Sequence, residues 1–255
     1  MNKLLKIKEI RSQLQLGKPS IGSWMQIPDS SVAEIIGSSN FDWVAVDMEH
    51  GAISHQQLPD LFRALELGST LPLARIAEGK QRDCKQALDA GAGGVIVPMV
   101  ESAEQLVLVR DACRWPPAGT RGVAFSRANL FGKNFDSYKE EAQSPFLVGM
   151  IESTQALNNI EEILAVEGLD AILIGPYDLS ASLGLTAQFE HPEVITAMNK
   201  ILTCAKNANI AAGIHVVEPS PSELYARVKD GYLFLAYSID TVMLRNEVEK
   251  LLGTE

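Results

Sequence analysis

The stretch Val148-Gly-Met-Ile-Glu-Ser-Thr-Gln-Ala-Leu157, with its continuation Gly168-Leu-Asp-Ala-Ile-Leu-Ile-Gly-Pro-Tyr-Asp-Leu-Ser180, decides the fold. Two apolar runs, Phe146 to Ile151 and Ala171 to Ile174, are of strand length and rich in branched residues, and each is followed by an acid, Glu152 and Asp178. Between them Thr154 to Val166 carries Ala156, Leu157, Ile160, Ile163 and Leu164 at helical spacing, with Glu161 and Glu162 opposite. The pattern is strand, helix, strand. A crossover of this size makes the two strands parallel, so both acids emerge at the same edge of the sheet.

Outward from this unit the alternation continues in both directions. A helix over Leu4 to Leu16 ends at Gly17; strands follow at Ser20 to Gln26, Trp43 to Val46, Leu71 to Arg75 and Gly93 to Pro98. Between them fall helices at Ser30 to Ser38, with Asp29 as N-cap, at Gln56 to Leu67, at Arg82 to Ala90 and, after the fourth strand, at Ala103 to Cys113. Ile210 to His215 and Tyr232 to Ala236 read as strands seven and eight, and Thr241 to Leu252 as a closing helix. Eight strand-like runs in regular alternation predict an α/β fold of the (β/α)8 TIM-barrel type in a single domain over residues 1–255. A doubly wound open sheet would need a Gly-rich strand-to-helix turn, and Gly91-Ala-Gly-Gly94 precedes a strand instead. The segment from Arg114 to Ser144, rich in Pro, Gly, Arg and Asn, breaks the rhythm and is expected to form a structured lid or a subunit contact.

Composition narrows the function. The net charge of −10 and pI near 5.0 argue against a nucleic-acid partner, which needs a clustered basic surface. Cys84, Cys113 and Cys204 are scattered, which fits a reducing, cytoplasmic setting and offers no thiolate metal site. No apolar run is long enough to span a membrane, and no signal-peptide core follows the charged start, so no membrane partner is expected.

In a barrel the carboxyl ends of the strands carry the site. Trp24 and Gln26 end the first strand; Asp47, Glu49 and His50 follow the second; Arg75 ends the third; Glu152, Asp178, His215 and Asp240 follow the fifth to the eighth. An imidazole such as His50 can move protons near neutral pH, and a nearby carboxylate can orient it. Arg75 can pair with Glu49, hold a substrate carboxylate or stabilise an oxyanion. Glu152 and Asp178 offer hard oxygens, suited to Mg²⁺ or Mn²⁺ with open water positions, or else cap helix N-termini.

Phe41-Asp-Trp-Val-Ala-Val-Asp-Met-Glu-His-Gly51, Pro116-Pro-Ala-Gly-Thr-Arg-Gly122, Arg127-Ala-Asn-Leu-Phe-Gly132, Ile151-Glu-Ser153 and Gly175-Pro-Tyr-Asp-Leu-Ser180 closely resemble the HpcH/HpaI aldolase family, in register from about Ile21 to Leu244. The resemblance implies a divalent-metal-dependent (Mg²⁺, Mn²⁺ or Co²⁺) class II aldolase. Such an enzyme cleaves 4-hydroxy-2-oxo acids, such as 4-hydroxy-2-oxoheptanedioate or 2-dehydro-3-deoxy sugar acids, to pyruvate and an aldehyde. It also implies a homo-oligomer, a hexamer of three dimers that exchange their C-terminal helices. Position by position, His50 resembles the family's acid/base, Asp47 its orienting partner, and Arg75 the ligand of the pyruvyl oxygen. Glu152 and Asp178 resemble the metal ligands. Gly175 and Pro176 fall where backbone amides receive the pyruvate carboxylate, and Trp24 matches an aromatic pocket wall. Three positions depart: Met150 where many members have Gln, His215 where an aliphatic residue is expected at the pocket edge, and Ala236-Tyr-Ser-Ile-Asp240 in place of a Gly-containing strand end. A citrate-lyase-like or decarboxylating enzyme with the same enolate site, or a barrel that only binds oxo acids, are the competing readings. A Schiff-base aldolase is disfavoured, because none of the twelve lysines falls within a strand or at its carboxyl end.

Overall fold

The computed structural model describes residues 1–253. Eight strands, β1 (Ser20–Met25), β2 (Trp43–Asp47), β3 (Leu71–Arg75), β4 (Gly94–Val97), β5 (Phe146–Ile151), β6 (Ala171–Ile174), β7 (Ala211–Val216) and β8 (Phe234–Ile239), pair in parallel in sequence order. The last pairs with the first and closes the barrel. The helices are α1 (Lys3–Gln15), α2 (Ser30–Gly37), α3 (Leu58–Leu67), α4 (Gln81–Ala90), α5 (Ala103–Cys113), α6 (Phe135–Gln143), α7 (Thr154–Asn158), α8 (Ile160–Leu164), α9 (Pro176–Ser182), α10 (Pro192–Asn207), α11 (Pro221–Asp230) and α12 (Asp240–Leu252). None of them is long and apolar enough to cross a membrane.

Strand side chains alternate between two cores, as the two-residue period requires. Outward residues such as Val44, Val46, Ala74, Val95, Ile172 and Ile174 pack under the helices. Inward residues such as Trp43, Leu71, Leu73, Ile96, Phe146, Val148, Leu173 and Phe234 fill the barrel. Trp43 and Phe234 stack with centroids 4.1 Å apart across the bottom layer. Gly22 makes this possible: a Cβ there would lie 2.1 Å from the Trp43 indole.

Helix α1 closes the amino-terminal end, burying Ile7, Ile10 and Leu14 against the inward core. Polar contacts pin it there. Lys3 Nζ donates to the Gly91 carbonyl and pairs with Glu141, and Arg11 forms a two-bond fork with Asp170, whose carboxylate also accepts the Leu147 amide.

Three expectations change. The helix over Thr154 to Val166 is two short helices, α7 and α8, because the Asn159 side chain donates to the Glu101 carbonyl at the junction. The segment from Arg114 to Ser144 is no lid over the strand ends. It holds a 3-10 turn (Arg127–Gly132) and α6, and Arg127 donates to the Ala90 carbonyl and Glu66 at the amino-terminal end. It leaves Val123, Phe125, Leu130 and Phe131 exposed. Strand β8 runs past Ala236 to Ile239 through an irregularity, with its register against β1 shifting between Gly22 and Trp24 and Ser238 at φ +58°.

If α1 plugs the barrel, Ile10→Ala leaves a cavity in a closed core and should cost roughly 2–5 kcal/mol in urea unfolding. A loss below about 0.5 kcal/mol, the range of ordinary surface substitutions, would show that the helix only rests on the surface.

Candidate active site

The same two-residue period that fills the barrel aims the last side chain of several strands into its mouth. Trp24 follows Gly22 on β1, Asp47 follows Trp43 and Ala45 on β2, Arg75 follows Leu71 and Leu73 on β3, and His215 follows Ala211 and Gly213 on β7. Glu152 takes the next inward position beyond Phe146, Val148 and Met150 on β5. These residues, with His50, Gly175, Pro176 and Asp178, line one cavity of about 850 Å³ at the carboxyl ends. Met150 sits one layer lower, 5 % exposed, as part of the inward core and the cavity floor.

Arg75 is the centre. Its Nη2 lies 2.6 Å from Glu49 Oε2 and 3.8 Å from Glu152 Oε1, and its Nη1 lies 3.6 Å from Asp47 Oδ2. The guanidinium stands 5.5 Å from the Trp24 ring centroid, and its Nε has no hydrogen-bond partner among the described residues. The expected pairing of Arg75 with Glu49 is therefore present, within a wider cluster.

Asp47 is almost fully buried. Burial pushes its carboxyl up, but the Gln26 amide, the Arg75 charge, the His50 amide and the Trp24 indole outweigh it and hold the group below the ordinary carboxylate range. Its Oδ1 accepts the main-chain N–H groups of Glu49 and His50, both at 3.1 Å, and its Oδ2 accepts Gln26 Nε2 at 2.9 Å. Asp47 thus orients His50 through the backbone, whereas the imidazole, its side chain 63 % exposed, has Glu49 as its nearest carboxylate at 4.0 Å. Gln26 is the residue that sequence reasoning left without a role, although it stands two residues beyond Trp24 on the same inward face. Its own amide and that of Ile27 donate to Asp240, so the start of α12 and the end of β1 are tied at this point.

Glu152 is 2 % exposed and accepts the Met99 amide at 2.8 Å. Burial pushes its carboxyl up; the Met99 amide and Arg75 oppose this, while Glu49 and Asp178 add to it. Burial also raises Glu49, against the pull of Arg75. Asp178 lies in the first turn of α9, exposed, and acts electrostatically on both glutamates. Among the described residues no group of three or more His, Cys, Asp or Glu gathers as a ready-made metal cage. The expected carboxylate receptor at Gly175 and Pro176 needs revision. The Gly175 N–H is taken by the Ile151 carbonyl and proline has none, so the Tyr177 and Asp178 amides are the first-turn donors left.

His215 tilts against Trp24 with centroids 5.0 Å apart, and its Nε2 lies 3.1 Å from the Ser238 carbonyl. The irregularity in β8 brings that carbonyl to the ring, so two of the three positions where the sequence departs from the family pattern meet here.

The HpcH/HpaI aldolase/citrate lyase description matches residues 20–247, the whole of the barrel. The chain belongs to that family. It is 37 % identical over 244 residues to the hydroxypyruvate/pyruvate aldolase of Roseobacter denitrificans, covering 94 % of both chains. It is 36 % identical over 256 residues to the 2-keto-3-deoxy-L-rhamnonate aldolase of Salmonella gallinarum, covering 99 % of this chain and 94 % of the relative. Its fold superimposes on an HpcH/HpaI aldolase/citrate lyase family protein from Burkholderia cenocepacia J2315 with a TM-score of 0.89 at 29 % identity, over 96 % of this chain and 98 % of the other. As a member of this family the chain is an aldolase, a carbon–carbon lyase.

Burial pushes the His215 imidazole down to about 4; the Ser238 carbonyl opposes this and the Arg75 charge adds to it. The unfolded chain takes up the same proton near 6.5, so this contribution to stability is intact above that value and is lost as pH falls toward 4. At pH 5 the loss is on the order of 2 kcal/mol. Urea unfolding at pH 7 and pH 5 should therefore show a smaller pH effect in His215→Asn than in the wild type. Equal pH dependence in the two proteins would mean that His215 titrates freely.

Proposed function

We propose that the chain cleaves a 4-hydroxy-2-oxo acid to pyruvate and an aldehyde, and runs the condensation in reverse at the same cavity. The observation that carries this reading is Arg75, a buried guanidinium within 4 Å of Asp47, Glu49 and Glu152, whose Nε–H has no hydrogen-bond partner among the described residues. A preorganised cation with a spare donor suits the negative charge that develops on the 2-oxo oxygen as the C3–C4 bond breaks.

The donor set fits a divalent cation. Glu152 is a buried anion without a close counter-charge, since Arg75 stands 3.8 Å away and is nearer to Glu49. A Cβ at position 175 would fall 2.7 Å from Glu152 Oε1, so the glycine leaves that oxygen open to the cavity. Glu152 and Asp178 would hold the ion, and two hard carboxylates with no thiolate suit Mg²⁺, Mn²⁺ or Co²⁺ with water completing the shell. When bound, the ion supplies Lewis-acid stabilisation of the same developing charge that Arg75 meets.

The remaining work falls to the chain's own groups. Trp24 walls the cavity and, with Gln26, holds Asp47 as an anion. Asp47 fixes the turn that carries His50, and His50 takes the proton of the 4-hydroxyl in cleavage and returns it in condensation. No lysine lines the cavity among the described residues, in keeping with chemistry that needs no Schiff base. The reading includes one catalytic domain over residues 1–255, cytoplasmic and assembled as a homo-oligomer. A hexamer of three dimers would cover the exposed Val123, Phe125 and Phe131 and the exposed face of α12 at Leu244, Val248 and Leu251.

The test needs no knowledge of the aldehyde. With Mn²⁺ or Mg²⁺ in D₂O, the protein should exchange the methyl protons of pyruvate, a chelator should stop the exchange, and Glu152→Gln should abolish it. Folded, metal-supplied protein that leaves the methyl signal intact over hours by proton NMR would instead support an oxo-acid-binding barrel.

A further inference from the structure

Two buried carboxylates hold two neighbouring turns at the mouth of the barrel. Asp47 accepts the Glu49 and His50 amides of the turn after β2. Asp240 does the same for the turn after β1: it accepts the Gln26 amide at 2.9 Å and the Ile27 amide at 2.8 Å, together with the Thr241 amide of its own helix at 2.8 Å. Asp240 is 4 % exposed, the one buried residue of α12, and has no cationic partner among the described residues. Burial pushes its carboxyl up, the three amides oppose this, and the charge of Asp47 adds to it. A carboxylate has lone pairs for three amides at once, which a hydroxyl or a carboxamide oxygen lacks. A residue that served only the start of α12 would need the Thr241 amide alone.

The side chain of Gln26 joins the two carboxylates. Its Nε2 donates to Asp47 Oδ2 at 2.9 Å, and its Oε1 lies 3.5 Å from Thr241 Oγ1 in the first turn of α12. Asp240 thus fixes the backbone from which Gln26 reaches Asp47, and Asp47 in turn fixes the His50 amide and stands 3.6 Å from Arg75. Gln26 and Asp47 line the cavity, and Asp240 stands behind them.

We infer that Asp240 is a positioning residue for the aldol reaction, acting through Gln26 to hold Asp47 and the turn that carries His50. The assignment rests on the aldolase reading above and adds to it the support of the proton-transfer half of the site. The metal half lies outside this chain of contacts, because Glu152 is held by the Met99 amide and Asp178 by its place in α9. Loss of Asp240 therefore displaces the group that moves the 4-hydroxyl proton and leaves the divalent-cation site in place.

A double-mutant cycle with two readouts isolates this role. The variants are Asp240→Asn, Gln26→Leu and the two combined. The readouts are kcat and KM with Mn²⁺ on 4-hydroxy-2-oxopentanoate or 4-hydroxy-2-oxoheptanedioate, whichever the wild type cleaves faster, and the Mn²⁺ dissociation constant of each folded protein by titration calorimetry. Asp240→Asn should lower kcat by about tenfold, short of the ~10²-fold that a 1 Å misplacement can cost, with KM and Mn²⁺ affinity within about twofold of the wild type. Gln26→Leu should lower kcat at least as far. The double variant should match Gln26→Leu within about twofold, because a residue that acts only through Gln26 has nothing left to act on. Multiplied losses in the double variant, an unchanged kcat in folded Asp240→Asn, or a Mn²⁺ affinity that falls together with kcat would each overturn the assignment. An Asp240→Asn protein that fails to fold leaves the test standing on Gln26→Leu, whose kcat, if unchanged, breaks the proposed chain by itself. Failure of the aldolase reading looks different: the wild type cleaves neither acid and pyruvate shows no methyl exchange.

Discussion

The mouth of this barrel depends on one buried guanidinium. Arg75 occupies the last inward position of β3, and Asp47 and Glu49 at the end of β2 and Glu152 at the end of β5 stand around it. Each of those carboxylates is costly to bury without a partner, and the arginine is costly without them. Geometry divides the labour unequally. Glu49 takes the close contact, Asp47 is anchored independently by Gln26 and two main-chain amides, and Glu152 is left with one amide and a distant cation. The carboxylate with the weakest pairing within the protein is the one that we propose holds a metal ion.

The two ends of the barrel serve different purposes. At the amino-terminal end α1, α6 and the 3-10 turn close the core with apolar side chains and ion pairs such as Arg11–Asp170 and Lys3–Glu141. At the carboxyl end the inward residues become polar within one pleat, and buried charge replaces packing. Asp240 connects the carboxyl end to the last helix by accepting the amides of Gln26 and Ile27, so the position of α12 bears on the residue that holds Asp47.

Much of this was readable from residue order. An apolar strand with a two-residue period that ends in a charge fixes both the strand and the direction of the charge, which is why residue order alone brings Asp47, Arg75 and Glu152 to one mouth. The contacts that depend on backbone detail were not readable. That Asp47 binds the His50 amide and not its imidazole follows from the turn after β2, and the break at Asn159 follows from a carbonyl at Glu101, fifty-eight residues away. The same holds for Ser238, whose left-handed conformation carries no sequence mark because such positions usually favour glycine. The segment from Arg114 to Ser144 advertised its irregularity through composition, but which end of the barrel it covers is decided by Arg127 reaching Ala90 and Glu66. Helices α9, α10 and α11, which form the outer wall beyond His215, are less marked in residue order than the strands they separate.

The central claim is that the planar fork of Arg75, and not merely its positive charge, serves the developing oxyanion. Arg75→Lys keeps the charge but cannot hold Glu49 and present a second donor in one plane. Steady-state kinetics of this variant on a 4-hydroxy-2-oxo acid test the claim most directly. The account predicts a fall in kcat of about 10²–10³ with a much smaller change in KM, as for loss of one oxyanion donor. A folded Lys variant with kcat within about twofold of the wild type, a negligible free-energy change on this scale, would contradict it.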